Sequence, residues 1–345
     1  MTTPVTVIRG DGVGPEVIDA AIEVLNSSGV ELEWTFAEAG AGANIRVGDA
    51  LPDETLRSIR HTRVCLKGPL EAPLGSGHQS ANARLRADLG LYATFAQVRS
   101  SWGTPTPVRG VDLTIIHENV EAEGSERERY ADHDGEVVEL VERTTRVACE
   151  RIVRNAFDHA VRTRPSLITL VHEGSTLRLS TELFARTGRD VARSCGAVNF
   201  EEMPAEEAAT RLVLNPSRFG VIVTTSHLGN ALCGVAAGLV GGSGLLPVMH
   251  LGADAAVFEP MHDAALDLAG KGIANPTATI LAGAMMLRHM GQGGAADLVE
   301  SATRSVIGER KRVTADLGGR ASTVEFSEQV AAVVRSLRSS SASLR

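Results

Sequence analysis

The sequence predicts an α/β fold built on a mainly parallel sheet and divided into two lobes. Short β-branched runs alternate with segments of helical period along the whole chain, the pattern of strands covered by helices. Aromatic residues are only 3% against 35 glycines, which suits an Ala/Leu/Val core and not an all-β sandwich. At 345 residues a single core is strained, so two lobes are expected.

Residues 5–8 read as the first strand, ending in Gly10-Asp11-Gly12-Val13-Gly14-Pro15. The glycines permit a tight turn, Pro15 suits the first position of a helix, and Glu16 is favourable beside its positive end. Val17, Ile18, Ala21, Ile22 and Leu25 continue at helical spacing. A second strand at 63–66 runs into the loop Lys67-Gly68-Pro69-Leu70, and residues 83–89 follow as a helix. Residues 113–116 form a strand, and the polar stretch 117–135 reads as a solvated arm or hairpin. A helix is expected over 142–162, and a strand at 167–171 delivers His172-Glu173-Gly174. The strand 221–225 precedes a helix opening after Gly229 over 231–240, apolar nearly all round and so expected inside a dimer interface. A Gly-rich loop (241–244) leads to a strand at 245–248, and 277–290 is a long apolar helix. The Ser/Arg-rich tail from 338 is expected to fray.

A formal net charge of −8 and a pI near 5.7 argue against nucleic acid or an anionic membrane as partner. The start, MTTPVTVIRG, lacks a basic segment followed by an apolar run, and no stretch approaches the roughly 20 apolar residues of a membrane span. Cys65, Cys149, Cys195 and Cys233 lie far apart with no CxxC pair, as expected of reduced thiols in a cytoplasmic protein.

Six segments in order resemble the isocitrate/isopropylmalate dehydrogenase family of metal-dependent β-decarboxylating dehydrogenases: GDGVGPEV (10–17), KGPLEAPLGSG (67–77), SANARLRADLGLY (80–92), ERIVRNAFDHA (150–160), VHEGSTL (171–177) and 258–291. GxGxxG is absent, so the nucleotide fold is not Rossmann. The resemblance implies a two-lobed fold with a large lobe of 1–91 and 241–337 on the cofactor side, a small lobe of 92–240 carrying a dimerisation arm and helices, and a tail of 338–345. It also implies a homodimer with each site built from both subunits, or a heterodimer with a catalytic paralogue. In the family, three aspartates hold Mg²⁺ or Mn²⁺, three arginines hold carboxylates, a Lys assists proton removal, a Tyr returns a proton and NAD(P) takes the hydride.

Carried over by position, Arg86 is retained, but Ala96 and His117 occupy the other arginine positions. Gly124 stands at the Tyr position and Glu173 at the Lys position. Glu206, Asn230 and Gly234 stand at the aspartate positions, which leaves Glu206 and Asn230 as residual metal ligands. Ser80 and Asn82 survive as substrate contacts. The side-chain charge is therefore net negative where the family's loaded site is net positive, which disfavours a polycarboxylate and a divalent ion in the usual place. His117, Glu118, His172, His227 and Glu206 offer an alternative metal set of imidazoles and carboxylates. On the cofactor side, His262, Asp267 and Asn275 match the family and Asp267 favours NAD over NADP, whereas Asp263 and Glu71-Ala72 depart from it. Three functions fit. The first is a repurposed enzyme for a less anionic, amine-bearing carboxylate, with Arg86 and Ser80 holding the carboxylate and Glu173 and His117 as acid and base. The second is a catalytically silent member that binds a metabolite or regulates a paralogue. The third is a residual NAD-dependent 2-hydroxy-acid dehydrogenase.

Overall fold

The computed structural model describes residues 2–71, 80–100, 103–104, 106, 108–119, 128–165, 167–196 and 198–342. Gly124 and Ala72 therefore lie outside the described residues.

The chain begins with β1 (Thr3–Ile8), α1 (Gly14–Ser27), β2 (Leu32–Ala37), α2 (Ala41–Val47), α3 (Asp53–Thr62), β3 (Val64–Lys67) and α4 (Ala81–Asp88). The middle holds β4 (Ala93–Arg99), β5 (Asp112–Glu118), the small hairpin β6 (Glu128–Tyr130) and β7 (Val138–Leu140), α5 (Arg146–Thr163), β8 (Leu167–His172) and α6 (Arg178–Cys195). It continues through β9 (Asn199–Pro204), α7 (Ala205–Leu214), β10 (Val221–Thr224) and α8 (Ser226–Val240). The chain then returns with β11 (Pro247–Leu251), β12 (Ala256–Pro260), α9 (Thr277–His289), α10 (Gly293–Glu309) and α11 (Thr323–Ala342).

Ten strands form one continuous sheet in the order β2-β1-β3-β12-β11-β4-β5-β10-β8-β9. Both flanks are parallel, while the central pairs β12/β11, β11/β4 and β4/β5 are antiparallel. Helices cover both faces, as the buried apolar strands require. One core packs α1, α9, α10 and α11 on β1, β3 and β12. Under α8 lies a second, against β4 and β5, and a third lies under α5 on the opposite face.

Three expectations need correction. The helix expected over 142–162 begins only at Arg146, because the Thr145 side chain accepts from Ala148 N (3.2 Å) and caps it there. This leaves Glu142 outside the helix. The helix placed after Gly229 already starts at Ser226, and Gly229 lies within its first turn. In the single chain His227, Asn230, Ala231, Gly234, Val235 and Gly238 of that helix form an exposed face. The tail does not fray at 338, since α11 runs to Ala342 and Arg338 Nη1 donates to Ser27 O (3.2 Å).

Candidate active site

The Gly10–Gly14 turn is a structural hub. Gly10 and Gly12 have φ of +77° and +58°, and a Cβ there would collide with the carbonyls of Pro69 and Ala264. Asp11 N donates to Pro69 O and Val13 N to Ala264 O, both at 2.8 Å. The Asp11 carboxylate then accepts from Ala41 N (3.0 Å), Gly42 N (3.4 Å) and Glu71 N (2.8 Å). One turn thus ties together the loops that follow β1, β2, β3 and β12, at the carboxyl end of the parallel strands where α/β sheets bind ligands.

At the carboxyl end of β5, which runs antiparallel to β1 and so ends at the opposite edge of the sheet, His117 stands level with Thr224 of β10. His117 is buried, its ring lies against Gly229, and a Cβ on Gly229 would collide with the imidazole. Its Nδ1 faces Glu118 O at 3.1 Å; a carbonyl only accepts, so Nδ1 carries the proton and Nε2 the lone pair. Burial, with added repulsion from His250 and Arg86, lowers the His117 pKa to about 4, so the ring is neutral at pH 7. Arg86 is therefore electrostatically close to His117. Arg84 turns instead to Asp49 (2.6 Å), as expected of two residues that do not share a helical face. Ser80 caps α4 by accepting from Ala83 N (3.1 Å), and its hydroxyl proton remains available as a donor. Asn82 Oδ1 is enclosed without a hydrogen-bond partner, an acceptor that suits a ligand donor.

Glu173 stands apart from this group. Its pKa is raised by burial and then by Glu142 and Glu206, with His227 acting the other way. Glu142, His172 and Glu173 line a depression of about 320 Å³ at the end of β8. The charged neighbours that shift Glu173 are thus Glu142, Glu206 and His227, and those that shift His117 are His250 and Arg86.

The alternative metal set does not converge. Glu118 pairs with Arg151 (3.4 Å), His172 Nδ1 accepts from Gly174 N (3.0 Å) and His117 Nδ1 is spent on a carbonyl. Among the described residues no three His, Cys, Asp or Glu side chains are grouped to hold one ion. At the other proposed metal positions Asn230 is exposed and neutral, and Gly234 has open space where a side chain would stand.

At the cofactor end His262 Nδ1 donates to Asp263 O (2.9 Å), leaving Nε2 a buried acceptor without a partner. Burial lowers its pKa. Asp267 and Asp263 are exposed on the same loop. Both ends of the Asn275 amide are already committed, Nδ2 to Asp316 (2.7 Å) and Oδ1 to Thr277 N (3.0 Å), so its side chain holds the start of α9.

Sequence reasoning missed a buried set beside His117: Lys67, Glu259, His250, Thr94 and Asn119. A signal was present, since Lys67 and Glu259 end strands that are otherwise apolar and His250 interrupts a third.

A ten-stranded sheet with an antiparallel centre, parallel flanks and a glycine hub after its β1 strand defines a two-lobed α/β protein of the non-Rossmann kind. The family model for isocitrate/isopropylmalate dehydrogenase matches residues 4–333. A probable mitochondrial NAD isocitrate dehydrogenase alpha subunit of Drosophila melanogaster is 38% identical over 335 residues, covering 96% of this chain and 87% of the relative. A 3-isopropylmalate dehydrogenase of Archaeoglobus fulgidus is also 38% identical, over 96% and 99%. The crystal structure of isocitrate dehydrogenase from Methylococcus capsulatus superimposes with a TM-score of 0.93 at 41% identity, over 96% of this chain and 99% of that one. The chain belongs to the isocitrate/isopropylmalate dehydrogenase family. Among the described residues no helix is long and apolar enough to cross a membrane.

Proposed function

We propose that this protein is an NAD-using oxidoreductase acting on a small 2-hydroxy carboxylate that also carries an amine, as a dimer with lobes of 1–91 plus 241–337 and of 92–240. The observation that carries this reading is the Glu142, Glu173 and Glu206 group. Partial burial raises the Glu173 pKa and the exposed Glu142 and Glu206 raise it further, so an ammonium group would relieve the repulsion whereas an additional carboxylate would worsen it. The uncovered face of α8 and the exposed apolar residues Tyr130, Val138 and Leu140 of the hairpin support assembly with a second copy. That assembly would carry Glu173 and Glu206 of one copy toward His117 and Arg86 of the other.

The residues fit NAD at its adenosine end, where His262 Nε2 is an orphaned acceptor suited to an exocyclic amine and Asp267 is exposed to take ribose hydroxyls. Bound NAD would supply the hydride acceptor. The substrate carboxylate sits on Arg86 and the Ser80 hydroxyl, and Asn82 Oδ1 accepts from a substrate donor. His117 Nε2 takes the hydroxyl proton, and Glu173 holds the ammonium group. The residues do not fit the family's divalent ion, because one carboxylate, one neutral amide and a glycine replace three carboxylates.

The test is NADH formation at 340 nm across two panels, isocitrate and isopropylmalate with Mg²⁺, and hydroxy acids bearing an amine without it. Turnover confined to the second panel supports the proposal. Turnover of the first at a rate ordinary for the family overturns it. A protein that binds NADH but turns over neither panel favours the silent, regulatory reading instead.

A further inference from the structure

On one face of the sheet, polar side chains line up along five strands: Lys67 on β3 and Glu259 on β12 at one level, and His250 on β11, Thr94 on β4 and His117 on β5 two residues further along. The register pairs His250 with Thr94 and Thr94 with His117, and directly opposed residues of antiparallel strands share a face. Glu259 pairs with Val248, two residues along from His250 and so on that face too. Lys67 closes the row by an ion pair with Glu259.

Proton counting fixes the state of the row. Asn119 Nδ2 donates to Leu91 O (3.2 Å), which turns its oxygen toward Thr94, and Thr94 spends its single hydroxyl proton on that oxygen (2.9 Å). Thr94 Oγ1 can then only accept from His250 Nδ1, 2.9 Å away. The other ring nitrogen, Nε2, lies 2.6 Å from Glu259 Oε1. Burial alone would raise the Glu259 pKa, but Lys67 and His250 hold it well below the usual carboxylate range, so Glu259 only accepts. Two acceptors facing two ring nitrogens require two ring protons.

We infer that His250 is a positioning residue of the cleft: a buried imidazolium clamped between Glu259 and Thr94, it sets the orientation of Glu259 and Asn119 and places a positive charge beside His117 that adds to burial in disfavouring a second proton on that ring. The inference rests on the reading of His117 as the base. Lys67 and Glu259 leave the row one net positive charge with His250 included; Cys65 lies beside that ion pair, Arg86 adds repulsion at His117, and His262 faces Glu259 from the loop after β12. The lowered His117 pKa agrees in direction with this arrangement.

The experiment is ¹⁵N NMR of the full-length protein labelled at histidine, with signals assigned through H250Q. In the wild type at pH 7, both His250 ring nitrogens should bear protons while His117 shows one bare nitrogen. In H250Q the His117 midpoint should rise by about one pH unit, the scale of losing one nearby buried charge. T94V, which removes the Nδ1 acceptor, should return His250 to a single ring proton and decides the matter if H250Q does not fold. A bare nitrogen on wild-type His250 at pH 7, or an unmoved His117 midpoint in folded H250Q, overturns the inference. These readouts do not depend on turnover, so a protein with both signatures but no activity supports the His250 assignment and refutes only His117 as a base.

Discussion

Replacing His117 by Gln should remove a definite share of the acid sensitivity of this fold. In the unfolded chain an ordinary histidine titrates near 6.5, and in the folded chain burial lowers that to about 4. Between those values the unfolded state binds the proton and the folded state refuses it, so stability falls as the solution is acidified from pH 6.5 toward 4. Integrated from pH 7 to pH 5, this one group costs the wild type about 2 kcal/mol. H117Q cannot take up that proton. The gap in unfolding free energy between wild type and H117Q, measured by urea titration at both pH values, should therefore narrow by about 2 kcal/mol on acidification. His159, also lowered to about 4 by burial, is common to both proteins and cancels in the difference. Parallel pH dependences, agreeing within about 0.5 kcal/mol and so within extrapolation error, would refute the reasoning.

G229A should lower the urea midpoint despite the gain of up to about 1 kcal/mol that alanine brings to a helix, because forcing a methyl into the His117 ring costs about 1–3 kcal/mol. A midpoint above the wild type would contradict the packing. K67M leaves Glu259 buried without its ammonium partner and should cost about 3–5 kcal/mol, with K67M/E259Q recovering most of the loss in a double-mutant cycle. Strict additivity would show that the pair is not coupled. D263G removes an exposed carboxylate at the proposed cofactor mouth and should tighten NADH binding by about two- to fivefold in a fluorescence titration, an effect that fades at high salt. Unchanged or weaker binding would remove Asp263 from that mouth.

Much of the frame was readable in advance because apolar period and turn chemistry agree locally. Residues 5–8, the glycine turn and the run from Val17 to Leu25 all point to one strand–turn–helix unit, and the structure builds it. Where reading failed, a tertiary or capping effect outweighed the local pattern. Gly229 argues against helix by propensity, yet it lies inside α8 because only a missing side chain leaves room for the His117 ring. Glu142 to Thr144 look helical, but the hydroxyl of Thr145 sets the boundary. Lys67 and Glu259 lie far apart in sequence, and only the parallel pairing of β3 with β12 brings them together. The Thr94–His250 contact arises from the pairing of β4 with β11 in the same way. No periodicity reports such meetings, so residues named one at a time from position were found while the buried row beside them was not.

The hydrogen bonds converging on Asp11 give the turn after β1 the character of a keystone arch. Three amides from two separate loops press on one carboxylate, so the two loops are expected to loosen as a unit. Hydrogen exchange should then release Ala41, Gly42 and Glu71 together, and substitution of Asp11 should loosen all three at once. Because that masonry is made of backbone and one aspartate, side chains elsewhere in the sheet can be exchanged without disturbing the arch.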